Sequence, residues 1–216
     1  SATLDGARVA RLLGDAPVVE SEGRAFPVET IYRDPDPLGR LEDQTASAIL
    51  AALREHTGSM LVFLPGQAEI NRTAERLAGR LPANTELAPL HGQLTPAEQD
   101  RAIRPAEQNR RKIVLATSIA ETSLTIEGVR VVIDSGFRRV PVYEPDTGLT
   151  TLETRRVSRA GADQRRGRAG RTEGGICIRL WNEGQTNALV PFETPEILAA
   201  DLSGFLLDLG SWGVTD

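Results

Sequence analysis

The sequence predicts an α/β domain: a parallel sheet sandwiched by helices. Three observations point there. Short, continuous apolar runs such as residues 59–64 (SMLVFL) and 112–116 (KIVLA) have the composition of strands buried on both faces. Segments with helical hydrophobic spacing stand between those runs. The two signals alternate along most of the 216 residues, as they do in βα units.

The elements follow in order. Residues 5–14 read as a helix with Asp5 as N-cap and Gly14 as its stop. Residues 16–21 and 27–32 read as short strands around a turn at Gly23. Pro35 and Pro37 make residues 34–39 a loop, because proline suits neither a helix interior nor a ladder. Residues 41–56 form a helix with Leu41, Ala48, Ile49, Ala52 and Leu53 on one face. The strand over 59–64 is ended by Pro65-Gly66, and a helix covers 67–80. The unit then repeats, with a strand over 86–90 and a helix over 95–103 that opens on Thr95 as N-cap and Pro96 at its first position. Strands follow at 112–116 and at 129–133, the latter ending on Asp134. Residues 137–143 and 149–155 flank a Pro-Asp-x-Gly turn and read as a β-hairpin that either projects from the sheet or extends its edge. A late strand over 175–180 and a last helix over 197–209 complete the chain. In such sheets the functional loops lie beyond the carboxyl ends of the strands, here 65–67, 91–93, 117–123 and 134–136.

Composition narrows the function classes. The single cysteine, Cys177, excludes an internal disulfide and suits a reducing compartment, so a cytoplasmic location is expected. No apolar run approaches the ~20 residues needed to span a bilayer, and residues 1–5 lack the features of a signal peptide, so no membrane partner is expected. The net charge of −5 hides a strong asymmetry. Residues 1–100 carry 9 basic and 15 acidic side chains, residues 101–180 carry 16 and 9, and residues 181–216 carry none and 6. A polyanion would therefore meet the middle stretch. Of the 25 basic residues only Lys112 is not arginine.

Two stretches carry chemistry. Residues 158–171 (SRAGADQRRGRAGR) sit in a run that holds seven arginines and one acid, Asp163, between Arg155 and Arg171. That density repels itself unless an anion compensates it, and Gly167 and Gly170 would let backbone approach a ligand closely. Gln164, Arg168 and Arg171 share one face if the segment is helical. An amide with two cations suits a phosphoryl group and a water beside it: the cations offset developing charge and the amide orients the nucleophile. A solvated arginine-rich loop or a nucleic-acid tail is the plainer alternative. The second stretch, 116–128 (ATSIAETSLTIEG), follows a buried strand and holds five hydroxyl side chains within nine residues. Hydroxyls and free N–H groups there suit a nucleic-acid backbone or a nucleotide, although such loops also serve simply as helix caps. Cys177 reads as a buried inert thiol, His56 as a surface residue, and Trp181 and Trp212 as packing residues. No Cys or His cluster accompanies His91, so no metal site is expected.

Together the two stretches resemble motifs V and VI of superfamily 2 helicases of the DEAH/RHA group, as ATSIAETSLTI at 116–126 and QRRGRAGR at 164–171. Ser1-Ala2-Thr3 resembles motif III, residues 61–66 (LVFLPG) motif IV, and residues 89–94 (PLHGQL) the segment called IVa. The order and spacing most resemble the bacterial HrpB-type members, over nearly the whole chain. The resemblance implies a RecA-like second motor domain over 1–190, with a hairpin at about 137–155 that props the duplex junction. It implies a connector and the first helix of a winged-helix module over 191–216. The phosphate loop and D-E-x-H sequence of the group's first RecA-like domain are absent here.

By resemblance, Arg168 and Arg171 match the arginine fingers and Gln164 the residue near the attacking water. Ser123, Thr122 and Glu127 fall to the nucleotide side, and Gly66, His91, Gly92, Thr117 and Ser118 to the RNA backbone. The implied cofactors are ATP or another NTP with Mg²⁺ in the full-length enzyme, with none bound stably by this fragment alone and no hydrolysis by it. The implied partners are single-stranded RNA, the first RecA-like domain and C-terminal winged-helix and helical modules. A DNA-acting helicase or translocase motor and a non-catalytic nucleic-acid-binding module remain as alternatives. Ser118 stands where the group usually has Asn, and Ile103 lies near where eukaryotic members stack an aromatic on adenine, so NTP choice stays open.

Overall fold

The computed structural model of the protein describes residues 6–19, 26–122, 126–171, 173–198 and 200–214. Helix α1 (Gly6–Leu12) precedes strand β1 (Val28–Tyr32). Four units follow: α2 (Leu41–Glu55) with β2 (Ser59–Phe63), α3 (Gln67–Leu77) with β3 (Thr85–Leu90), α4 (Pro96–Ile103) with β4 (Arg111–Ala116), and the short α5 (Ile119–Thr122) with β5 (Val129–Asp134). The antiparallel pair β6 (Phe137–Glu144) and β7 (Leu149–Arg156) leads into α6 (Arg159–Arg166) and β8 (Gly175–Arg179). Helix α7 (Glu183–Thr186), a 3₁₀ turn (Glu196–Leu198) and α8 (Ser203–Ser211) end the described chain.

The six-stranded sheet is parallel throughout and runs β1-β8-β5-β2-β4-β3. Alternation along β2 sets its two faces. Met60, Val62 and Leu64 pack with Ile49 and Ala52 of α2 and Ile70 of α3, whereas Leu61 and Phe63 pack with Ala102 of α4, Ala120 of α5 and Ala169. All five residues of β2 are buried, which is why a continuous apolar run marks it. Thr95 caps α4 through the expected box: its hydroxyl accepts from the Glu98 N–H while the Glu98 carboxylate accepts from the Thr95 N–H.

The hairpin forms a sheet of its own, pairing Phe137 with Arg156 through to Glu144 with Leu149. It therefore projects and does not extend the main sheet. Its base is fastened by a small third core of Val157, Ala162, Trp181 and Leu189, and by Glu193, whose Oε1 accepts from the Ser158 N–H at 2.9 Å and pairs with Arg138 at 3.0 Å.

Four expectations need correction. Residues 16–19 form no strand: β1 is already the sheet edge and pairs only with β8, and Val19 is 92 % exposed; Gly23 and residues 20–25 lie outside the described residues. The last helix is not continuous from 197. Asp201 Oδ1 accepts from both the N–H and the hydroxyl of Ser203, a local turn that competes with helix and restarts the winding at Ser203. Trp212, expected in packing, is 76 % exposed among the described residues, and Leu206 and Leu207 beside it are also exposed. His56, read as a surface residue, is half-buried behind the end of α2.

Trp181 and Cys177 are buried as expected. Burial, aided by the nearby Asp134 carboxylate, pushes the Cys177 thiol up to about 12. At pH 8 the folded thiol thus stays protonated and non-nucleophilic. Iodoacetamide is expected to leave Cys177 unmodified in buffer and to label it after denaturation, read by intact mass; labelling of the folded protein would contradict this burial.

Candidate nucleotide and nucleic-acid site

The parallel register aligns the loops that matter. Leu90 pairs with Ala116, Ala116 with Phe63, and Phe63 with Asp134, so these four residues form one row at the carboxyl edge of the sheet. The loops carrying Gly66, His91 and Gly92, Thr117 and Ser118, and Ser135 and Gly136 all leave from that row. This is the sheet edge where ligands of open α/β folds bind.

Behind it, α6 docks on the sheet through a buried cation. Arg165 is wholly buried. Its Nε and Nη2 donate to Glu121 Oε1 at 2.8 and 2.6 Å, and its Nη1 donates to Asp134 Oδ1 at 2.7 Å and to the Phe137 carbonyl at 3.2 Å. The guanidinium also lies 4.9 Å from the centroid of the Phe63 ring. Burial alone would lower its pKa, but Asp134 and Glu121 outweigh that and raise it. Sequence reasoning missed this unit. Its signals were a lone acid in the helix after β4 and a lone acid ending an apolar strand.

Gln164 Nε2 donates to the Glu121 carbonyl at 2.9 Å, and Arg168 Nη2 donates to the same carbonyl. Arg168 is 6 % exposed; burial first, then the positive charge of Arg171, lowers its pKa to about 10 against the opposing pull of Glu121. A cation held this way is stabilised by an arriving anion. Arg171 is exposed.

The single helical face expected for Gln164, Arg168 and Arg171 is not formed, because α6 ends at Arg166 with Gly167 as C-cap and a tighter turn carries the rest. Gly170 also has a reason other than ligand approach. Its carbonyl accepts from the Phe26 N–H, and a Cβ there would stand 2.6 Å from the Phe26 carbonyl oxygen.

Ser123 lies outside the described residues, and Thr122 closes α5. Glu127 is exposed and lines a shallow cleft of about 280 Å³ with Ile103 and Arg104. Of the residues expected on the RNA side, Gly66 is the buried N-cap of α3 and lies under Arg139 and Glu69, which a Cβ would meet at 3.0 Å. His91 is buried, and its Nδ1 has no hydrogen-bond partner among the described residues; Gly92 is exposed. Thr117 and Ser118 are half-buried. Ser118 opens into a groove of about 1160 Å³ that it shares with Arg138, Arg139, Arg155 and Arg156 of the hairpin. The two arginine doublets of the hairpin meet at one position, Arg138 opposite Arg155, while Arg156 faces Phe137 and Arg139 faces Thr154. Among the described residues, no group of three or more His, Cys, Asp or Glu side chains could hold a metal ion, and no helix is long and apolar enough to cross a membrane.

The family described as the helicase conserved C-terminal domain matches residues 43–173, a span that runs from α2 through the arginine-rich segment. The chain belongs to that family. It is 50 % identical over all 216 residues to the "ATP-dependent RNA helicase HrpB" of Escherichia coli K12, covering 27 % of that protein. It is 38 % identical over 224 residues to HrpA of the same organism, covering 17 %, and 36 % identical over 230 residues to the human "Probable ATP-dependent RNA helicase DHX34", covering 20 %. The crystal structure of the Escherichia coli DEAH/RHA helicase HrpB superposes with a TM-score of 0.93 at 49 % identity, over 99 % of this chain and 27 % of that one. The chain thus spans about a quarter or less of the relatives it matches. The RecA-like fold and the resemblance to the DEAH/RHA group are borne out.

Proposed function

We propose that this chain is the second motor domain of an ATP-dependent RNA helicase, with residues 1–190 as the RecA-like domain and 191–216 as a connector leading into a winged-helix module. The observation that carries the reading is the cationic edge at the end of α6. Gln164 and Arg168 both reach the Glu121 carbonyl in the loop after β4, and Arg168 is desolvated beside Arg171, where the chain passes the start of β1 through the Gly170–Phe26 hydrogen bond. In the reading, Arg168 and Arg171 donate to the phosphates of an NTP held by the first RecA-like domain, and Gln164 orients the attacking water. Ser123, Thr122 and Glu127 belong to the nucleotide side of the same cleft.

The two domains close because the arginines gain charge-assisted bonds, and they part when the terminal phosphate is lost. Thr117, Ser118, Gly66, His91 and Gly92 grip the strand by its backbone, with the hairpin arginines lining the groove beside Ser118, so the grip tolerates any sequence. In the full-length enzyme, ATP or another NTP would be held with Mg²⁺ by the first RecA-like domain, and this chain's residues would act on its phosphates from across the cleft.

Substrate choice is tested by NTP turnover of the full-length protein with single-stranded RNA and with DNA of the same sequence. RNA is expected to stimulate at least several-fold more than DNA. Equal or stronger stimulation by DNA would favour a DNA-acting motor.

A further inference from the structure

We propose that Glu121 is a positioning residue that couples the strand-gripping loop after β4 to the Arg168 finger and the Gln164 amide. The inference rests on the arginine-finger reading above and adds a route by which a bound strand reaches it.

Three parts of one residue point three ways. The Glu121 N–H donates to the Ser118 carbonyl at 2.9 Å, which ties it to the loop proposed to hold the strand backbone. Its carbonyl accepts from Gln164 Nε2 and from Arg168 Nη2. Its carboxylate is gripped by Arg165, which is itself fixed to the sheet through Asp134 and Phe63. The side-chain bond therefore has a rigid end in the core. The backbone belongs to α5, only four residues long.

The Glu121 carbonyl is also a competing acceptor. While Gln164 and Arg168 donate to it, those hydrogens are not available to a water or a phosphate oxygen. A strand that engages Thr117 and Ser118 moves the start of α5 and so moves this carbonyl relative to α6. The finger and the amide are then handed from a protein acceptor to the nucleotide. Glu121 thus links strand occupancy to catalytic geometry without touching either ligand, a coupling of the ordinary size for two linked sites.

The test uses the full-length protein. NTP turnover is measured with and without single-stranded oligo-uridylate for Glu121→Ala, Glu121→Gln and Arg171→Ala, with melting curves for each. The expected result is a fall in the stimulation ratio (the RNA-stimulated rate over the unstimulated one) of roughly 5–10-fold or more in Glu121→Ala. Glu121→Gln, which keeps an acceptor for Arg165, is expected to recover part of it. A merely structural role would lower melting temperature and both rates together and leave the ratio unchanged, and that result overturns the inference. If Glu121→Ala does not fold, the same ratio is read on Glu121→Gln, where wild-type stimulation overturns it. Arg171→Ala separates the two layers. If it abolishes turnover while the Glu121 variants keep the wild-type ratio, only the coupling fails. If it leaves turnover intact, the arginine-finger reading fails and the coupling with it.

Discussion

On the arginine-finger reading proposed above, Arg171→Ala in the full-length protein is expected to lower NTP hydrolysis by about 10³–10⁵-fold, the usual cost of removing such a finger, with strand affinity nearly unchanged. The side chain is exposed at the end of the motif, so its loss leaves no cavity and little change in melting temperature. Its effect is electrostatic: burial first, then the positive charge of Arg171, lowers the Arg168 pKa to about 10. An anion between the two cations relieves their repulsion, most of all when charge builds on the transferring oxygens. Arg171→Lys restores a point charge without the planar fork and is expected to recover only a small part of the rate. A non-catalytic nucleic-acid-binding module behaves differently. There Arg171→Ala would reduce the salt dependence of strand binding by about one phosphate contact and leave any hydrolysis intact. Turnover assays beside a salt titration of strand binding therefore separate the two readings.

The parts of the fold that sequence could reveal are those where burial is symmetric. Strands β2, β4 and β5 are apolar on both faces and were placed within one residue of where they lie. Residues 16–19 have the composition of a strand but no neighbour to pair with, and pairing is a property of topology, not of a local run. At the site, the position of the arginine-rich segment was legible and the division of labour within it was not. Composition treats Arg165, Arg168 and Arg171 alike. In the structure the first is neutralised by Glu121, 44 residues away, and Asp134, 31 residues away, while Arg168 is buried against the Glu121 backbone carbonyl and Arg171 is exposed. Only the sheet order, which sets β5 beside β2 and lays α6 against it, brings those acids together. His91 makes the same point in reverse: its loop was read correctly as a carboxyl-edge loop, yet the ring itself is buried.

Arg165→Leu is expected to cost about 3–5 kcal/mol of stability, because it leaves two buried carboxylates without their cation. At roughly 2–4 °C per kcal/mol for a domain of this size, the melting temperature should fall by about 10 °C. Asp134 is wholly buried, and its Oδ2 already lacks a partner among the described residues, so it has no alternative donor to turn to beyond the Gly136 N–H that Oδ1 holds at 2.9 Å. Arg165→Lys keeps the charge but not the geometry. The guanidinium donates in three directions at once, to Glu121, Asp134 and the Phe137 carbonyl, and one ammonium cannot span all three, so only part of the loss should return. The pH profile gives a further check. A group whose pKa rises on folding stabilises the fold at all pH values below its unfolded pKa, so the Arg165 cation itself is never lost in the working range. The decisive comparison is the triple variant Arg165→Leu, Glu121→Gln, Asp134→Asn. With no charge left in the core, it should melt higher than Arg165→Leu alone, since an unpaired buried ion costs more than an absent pair. If the triple variant melts lower than the single one, the carboxylates must find compensation elsewhere, and the buried triad is not what fastens α6 to the sheet.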